Sequence, residues 1–526
     1  MDVVIGLDCG TTATKAVAVG VDATVRAVAK VGYPLLVPAP GRAELDAVRL
    51  AQSAIKALAD TSALVRERGD RVVGLCVGAA MHGLVRLGAD GAPLGPLVTW
   101  ADTRAGDEAR ELTEATGGAL HGRTGTPVHP MSPLVKLAWW RRHEPETFAA
   151  TPRWGGVKEV LLAALCETEF LVDLSAASAT GMYDIFARRW DPEALSLAGV
   201  TADQLPTVVP TTHRVAGLRP EVANATGLPG GVPVIVGASD GALANLGLGA
   251  IGDGVAAVSV GTSGAIRAMS RVPTVDEARQ LFCYALTDDR WVIGGAINNA
   301  GSVVRWASGA LGPTPTGPGA TTPAGTAFTE EARQAADIAL LAEAGAVPPG
   351  SDGLLCLPYL MGERAPWWTP GLQGAWIGLR RYHTRGHLVR SAVEGVCQQL
   401  ALVARAMADA GVQVRTVRAT GGSVESALWC GILAATLDLP VEIAASPEGT
   451  GTGAAMLGHH ALGALADLDE VAELIAVHRG AAPDPGAVAT YARLRPLIEQ
   501  STRALLPVFH TLNEIPETPE DPKTVR

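Results

Sequence analysis

The feature that most constrains this chain is a turn that occurs twice. Residues Met1 to Val19 read as a β-branched apolar run ending in Asp8, a tight turn at Gly10-Thr11-Thr12, and a second apolar run after Lys15. That is the pattern of a strand, a turn and a strand. Half a chain later, Val258 to Ile266 repeats it around Gly261-Thr262-Ser263. Each turn gathers small residues, hydroxyls and backbone amides, and the first adds a lysine and a carboxylate. Amides and hydroxyls donate to phosphate oxygens, and a carboxylate such as Asp8 can hold an accompanying Mg²⁺, directly or through water. Two such hairpins can clamp a phosphate chain from opposite sides. Taken alone, the first is equally the opening of an ordinary sheet.

A third glycine turn, Gly421-Gly422-Ser423, follows a β-like run over Val412 to Val417 and precedes an apolar helical pattern through Leu428, Ile432 and Leu433. It could seat an adenosine against a helix N-terminus. Strand-like runs (Val3 to Leu7, Ala16 to Val19, Val72 to Val77) alternate with helical stretches (Glu44 to Arg68, Thr103 to Thr116), and strands restart from Val255. This alternation predicts α/β architecture with mixed sheets. With 526 residues, two domains are expected. The glycine-rich patch near 247–254 is the natural boundary, giving 1–246, 247–506 and a polar tail over 507–526. Gly312 to Thr326, rich in Pro, Gly and Thr, reads as a surface loop.

Composition removes several functions. The net charge is −11, and six lysines form no basic cluster, so nucleic acid and anionic membranes are not expected partners. An anionic substrate must therefore be met by local cations. Seven cysteines stand singly without a Cys-x-x-Cys pair, which predicts reduced thiols and no structural zinc. No run of 18 apolar residues occurs, and no leader pattern opens the chain, so a cytoplasmic location is expected. Gly247-Leu248-Gly249-Ala250-Ile251-Gly252 fits G-x-G-x-x-G but follows a helical stretch instead of a strand, so the dinucleotide reading is rejected.

The three turns, together with Met81-His82-Gly83, Trp100 to Arg104, Met131 to Trp139, Asp173 to Met182, Gly237 to Gly241 and Gly374 to Glu394, resemble the actin/hexokinase/heat-shock-70 ATPase superfamily. In detail they resemble the FGGY carbohydrate kinases, over Asp2 to about Leu506. Thr99 to Arg104, Gly125 to Pro133, Gly294 to Trp306 and Leu357 to Trp367 are more similar to gluconokinases than to pentulose kinases. The resemblance implies two ribonuclease-H-like domains with a cleft between them, ATP and Mg²⁺ as cofactors, and a sugar acid, D-gluconate, as acceptor. A pentulose such as D-xylulose is the alternative acceptor, and a non-catalytic nucleotide-gated module is the rival of another class. A homodimer is a candidate assembly.

Phosphoryl transfer to an alcohol needs a base at the hydroxyl, donors around the γ-phosphate and exclusion of water. Asp240 follows the apolar run Val232 to Val236 in a small-residue turn and matches the aspartate with which the family accepts the substrate proton. Its plain alternative is a helix N-cap. Asp8 and Asp240 are the expected metal ligands. Gly10, Thr11, Thr12, Lys15, Gly261 and Thr262 are expected at the phosphates, and Gly421, Gly422 and Ser423 at the nucleoside. Asn298 and Asn299 either contact nucleotide or cap a helix starting near Ser302. Met81, His82, Trp100, Asp102, Arg104, Lys136 and Gly241 are expected around the acceptor, with Arg104, Lys136 or His129 meeting a carboxylate. Asp102 also reads as a helix N-cap. Trp140 and Glu425 depart from the family pattern, the latter placing a negative charge near the nucleotide.

Overall fold

The computed structural model describes residues 1–311, 330–445 and 448–515, with side chains excepted at 308, 309 and 330–336. The 312–326 stretch and the tail beyond 515 lie outside the described residues. Two mixed sheets form the frame. The first joins β1 (Asp2–Cys9), β2 (Ala13–Gly20), β3 (Val25–Gly32), β4 (Arg71–Ala79), β5 (Arg214–Val215) and β6 (Val234–Ile235) in the order β5-β6-β4-β1-β2-β3. The second joins β7 (Val255–Val260), β8 (Gly264–Ser270), β9 (Phe282–Thr287), β10 (Arg290–Ile297), β11 (Thr416–Thr420), β12 (Val441–Ala444) and β13 (Val477–Ala481) in the order β9-β10-β8-β7-β11-β12-β13.

Apart from β9, the sheets share one plan. In each, the hairpin strands pair antiparallel (β1 with β2, β7 with β8), and the first of them pairs parallel to a later strand (β4, β11). The next strand outward is again parallel (β6, β12) and the edge strand antiparallel (β5, β13). The repeated turn thus marks the same place in two copies of one fold. The third turn follows β11, which spans Thr416–Thr420, a little later than the expected 412–417.

Among the helices are α1 (Ala47–Glu67), α2 (Pro133–His143), α3 (Val157–Leu165), α4 (Asp240–Gly247), α5 (Arg385–Asp409), α6 (Gly449–Ala461) and α7 (Pro485–Asn513). Asp46 caps α1 by accepting from the amides of Val48 and Arg49, while Leu50, Ala54 and Leu58 face the first core. The apolar runs of the central strands are continuous because both faces are covered: Val3, Ile5 and Leu7 join one core and Val4 another. Helix α7 carries the chain through Asn513 and buries Phe509, so 507–513 is helix where a tail was expected.

The copies are stitched by α6, which belongs to the second half of the sequence but lies on β1 and α4. The approach leaves no room for side chains. A Cβ on Gly453 would stand 1.9 Å from the Leu243 carbonyl oxygen, one on Gly247 1.7 Å from that of Gly449, and one on Gly6 2.0 Å from that of Gly451. A second tie lies in the first half. Lys158 on α3 is 3% exposed and pairs with Asp173 at 3.2 Å. Its ammonium donates to the carbonyls of Val236 at 2.6 Å and Ala238 at 3.3 Å, and to Val77. It therefore clasps the ends of β4 and β6, from which the Met81-His82 turn and Asp240 depart.

Gly453→Ala is expected to destabilise the protein by about 2–3 kcal/mol through overpacking. Gly431→Ala, inside a helix at a position where a Cβ meets nothing within 4 Å, is expected to be neutral or to stabilise by about 0.5–1 kcal/mol. Lys158→Met strands Asp173 and is expected to cost about 3–5 kcal/mol. Thermal and urea unfolding of the three variants check these values.

Candidate active site

The two phosphate-type turns have the same local electrostatics, reached by different partners. In the first, Tyr33 ties the carbonyls back: its hydroxyl donates to Gly10 O at 2.7 Å and its amide to Thr12 O at 3.0 Å. In the second, Gly301 N donates to Gly261 O at 2.8 Å, and the amides of Ala300 and Ser302 both reach Thr262 O at 3.2 Å. With these carbonyls drawn inward, the partial negative charges leave the outward face, and the hydroxyls of exposed Thr12 and Thr262 remain there. Such a surface suits anions. Gly421 abuts the second turn: at φ 104°, its absent Cβ would stand 2.5 Å from Val260 O. Beyond it opens a groove of about 840 Å³, lined by Gly261, Thr262, Val304, Leu341, Gly422, Ser423, Glu425, Leu428 and Trp429 among others. That size and its mixed apolar and polar lining suit a nucleoside, although Glu425 does stand at its wall.

The acceptor turn and Asp240 meet on the other side. Asp240 is the first residue of α4, with Ser239 in the N-cap position, so the N-cap alternative fails. Its Oδ1 accepts from Gly241 N at 2.8 Å. The place a Cβ on Gly241 would take lies 2.9 Å from Met81 Cε and 3.5 Å from Arg267 Nε, so the absent side chain lets these groups converge. Burial raises the Asp240 pKa above the usual carboxylate value, against the pull of Arg267 and backbone amides. Asp8, in a cavity of about 310 Å³ shared with Lys15, Asp240, Arg267, Thr420 and Glu448, is pushed up to about 7 by burial and then by Asp240. His82 is held at φ 66° with Nδ1 2.8 Å from Ala179 O, and its ring meets Tyr284 edge-on at 5.5 Å between centroids. Burial and nearby Lys136 lower its pKa to about 3, so the ring is neutral. With Nδ1–H donating to that carbonyl, Nε2 is an acceptor.

Several expected residues are engaged elsewhere. Arg104 is clamped by two carboxylates, donating from Nε to Asp102 Oδ1 at 2.8 Å and from Nη2 to Asp102 Oδ2 at 2.7 Å and to Glu44, over the Trp139 ring. Asp102 is 1% exposed and also accepts from Ala43 N at 2.7 Å; it neither caps the helix, which starts at Gly106, nor reaches a polyol. Lys136 is 1% exposed, spending its protons on His82 O at 2.6 Å and Met131 O at 2.8 Å. His129 is buried against Trp368 with a pKa lowered to about 3, chiefly by burial. Arg104 and Lys136 are thus committed to protein partners, and His129 is neutral. Lys15 does not stand free at the phosphates but pairs across the cleft with Glu448 at 2.8 Å. Asn299 is fully buried and bonds Gly362 O at 2.6 Å and Glu363 Oε2 at 3.1 Å. Asn298 holds Met361 O and accepts from Arg364 Nε, so both asparagines organise the 361–364 loop and contact no nucleotide groove. Trp100 does reach the cleft: its Nε1 donates to Thr11 Oγ1 at 2.8 Å, and Arg364 lies 4.9 Å above its ring. Trp140 is absorbed by packing on Trp139 and Trp154.

Sequence reasoning overlooked Arg267, Tyr284 and Arg364. Arg267 had a signal: β8 is otherwise apolar or small, and Ala265, Arg267 and Met269 share a face, so a half-buried cation among them stands out. Arg364 lay inside a quoted segment without a role. The engaged cations allow a test by pH. Burial lowers Lys136 to about 7 in the fold, so between pH 7 and its ordinary value near 10.5 the unfolded chain binds the extra proton and stability rises with pH. The stability difference between wild type and Lys136→Met is expected to shift in favour of wild type by about 1 kcal/mol per unit from pH 7 to 9, measured by urea unfolding.

Comparison with known proteins agrees with this geometry. Residues 3–247 match the N-terminal domain of the FGGY family of carbohydrate kinases, and residues 256–462 its C-terminal domain. A gluconokinase of Bacillus subtilis (strain 168) is 37% identical over 505 residues, covering 95% of this chain and 96% of the relative. A gluconate kinase structure from Lactobacillus acidophilus superposes with a TM-score of 0.88 at 30% identity, covering 97% of this chain and 99% of that one. A ligand-bound xylulose kinase from the same organism gives 0.88 at 29%, covering 97% and 100%. With its duplicated sheets, paired turns and Asp240 in the cleft, this chain belongs to the FGGY family of carbohydrate kinases.

Proposed function

We propose that this kinase transfers the γ-phosphoryl group of ATP to the terminal hydroxyl of D-gluconate. The observation that carries the chemistry is the meeting of Asp240, Gly241 and Met81 beside a turn that presents neutral His82. The gluconokinase relative at 37% identity, against 29% for the xylulose kinase structure, favours the sugar acid over a pentulose.

In this reading Asp240 accepts the hydroxyl proton. Desolvation raises its proton affinity, and the Gly241 amide orients its carboxylate. Neutral His82 accepts from a substrate hydroxyl through Nε2. The turns at Gly10 to Thr12 and Gly261 to Ser263 donate to the phosphates from opposite halves, and Gly421 to Ser423 border the adenosine. Closure of the halves about the α4–α6 seam excludes water.

The residues present fit Mg²⁺. Asp8 and Asp240 are half-buried carboxylates close enough that Asp240 helps raise the Asp8 pKa, so together they favour a positive charge. Among the described residues no three His, Cys, Asp or Glu side chains gather into a metal cluster. Mg²⁺ tolerates such a sparse set because it keeps waters and takes oxygens from phosphates. Bound there by Asp8 and Asp240, it would neutralise phosphate charge.

ADP release coupled to NADH oxidation, across gluconate, other sugar acids, xylulose, ribulose, glycerol and no acceptor, tests the reading. Gluconate-dependent turnover is expected, and Asp240→Asn is expected to lower kcat by about 10³-fold or more. Turnover confined to ketoses would overturn the acceptor, and ATP binding without turnover on any acceptor would overturn the kinase reading for this chain.

A further inference from the structure

Three groups that the second half of the chain brings to the cleft carry polar capacity that the protein does not use. Arg267 has no hydrogen bond or ion pair from its guanidinium to any described residue, yet it is drawn into the cleft against Gly241 and Asp240. Tyr284 is 1% exposed, and its hydroxyl is buried without a hydrogen-bond partner. A buried phenol left in that state costs free energy. Its ring is fixed between Phe282, stacked at 4.6 Å, and His82. Arg364 is the third. Its Nε donates to Asn298 Oδ1 at 2.7 Å and one Nη to Ile297 O at 3.2 Å, which lock it over Trp100 with the other Nη uncommitted.

These groups are neighbours. Arg267 pairs with Gly294 and Tyr284 with Val292, so both side chains stand on one face of the sheet beside β10, and Arg364 bonds the Ile297 carbonyl at the end of that strand. The two guanidiniums also act on each other and on the phenol. Arg364 is also felt by His82 and His129, which places it with the acceptor turn and away from the nucleotide groove. Two guanidiniums with uncommitted N–H groups on one side of the cleft favour a bound anion. The nearby carboxylates are already assigned: Asp240 to the reacting hydroxyl, and Glu363 to Asn298, Asn299 and Arg364 amides or side chains. The other cations near the site, Arg104 and Lys136, are satisfied internally, and the two histidines are neutral. The γ-phosphate has its own donors in the two turns.

Resting on the sugar-acid reading above, we propose that Arg267, Arg364 and the Tyr284 hydroxyl form the subsite that binds the carboxylate of the acceptor. It takes a carboxylate oxygen pair by charge-assisted hydrogen bonds from the two guanidiniums and one hydroxyl. The subsite selects aldonic acids over neutral polyols and ketoses.

Steady-state kinetics with gluconate and its neutral isostere gluconamide test the assignment in wild type, Arg267→Met, Arg267→Lys and Tyr284→Phe. Arg267→Met is expected to lower kcat/KM for gluconate by about 10–100-fold, mainly through KM. The gluconate-over-gluconamide preference should collapse by about tenfold or more, with KM for ATP within about twofold of wild type. Tyr284→Phe should move the same ratio about 3–10-fold, and Arg267→Lys should retain part of the preference. Equal losses on both acceptors, or a loss in kcat alone, would overturn the assignment by placing Arg267 at the phosphoryl group. If Arg267→Met does not fold, an unchanged preference in both Tyr284→Phe and Arg267→Lys overturns it. Gluconate turnover with an unmoved preference would remove this subsite alone, whereas a wild-type enzyme inactive on every sugar acid removes the proposed function with it.

Discussion

The structure depends on a contact that no side chain makes. Gly6, Gly247 and Gly453 let α6 lie directly on β1 and α4, backbone against backbone. This seam couples the two halves immediately behind Asp240, and it works only because each position lacks a Cβ. Packing this close fixes relative position without interdigitated side chains, so the halves can be joined firmly at one line while the rest of the cleft stays open to ligands. The residues of the active site inherit their geometry from this seam on one side and from the Lys158 clasp on the other.

The cleft sorts its charges into two kinds. Some are neutralised within the protein: Arg104 by Asp102 and Glu44, Lys15 by Glu448, Lys158 by Asp173. Others are brought close to like charges or left without a partner, as Asp8 is with Asp240 and as Arg267 is with Arg364. The first kind sets backbone positions. The second holds free energy that a ligand of opposite charge would release. An overall acidic protein can bind acidic substrates this way because burial makes local charge count for more than net charge.

Much of this was legible in the chain. The hairpin turns, the alternation of elements and Asp240 stand where their local sequence places them, because turn chemistry and strand periodicity act over a few residues. Reading Arg104 and Lys136 as substrate contacts failed because a cation's partner is a matter of distance in space. Arg104 finds Glu44, 60 residues away in sequence, and Lys136 finds the carbonyl of His82, 54 away. Asn299 failed for the same reason, being claimed by Glu363 from another loop. Arg267 lay next to a recognised turn, but only the approach of α4 shows that it faces Asp240.

The sequence by itself determined the family, the two copies of the sheet, the three turns and the aspartate at the start of α4, since these rest on local backbone preference and on residue types at fixed spacing. Only the tertiary structure decided which charges are spent within the protein and which are left uncommitted. Neutralisation of a charge is set by what stands within a few ångströms of it, and in this protein those neighbours come from distant stretches of chain and from both halves.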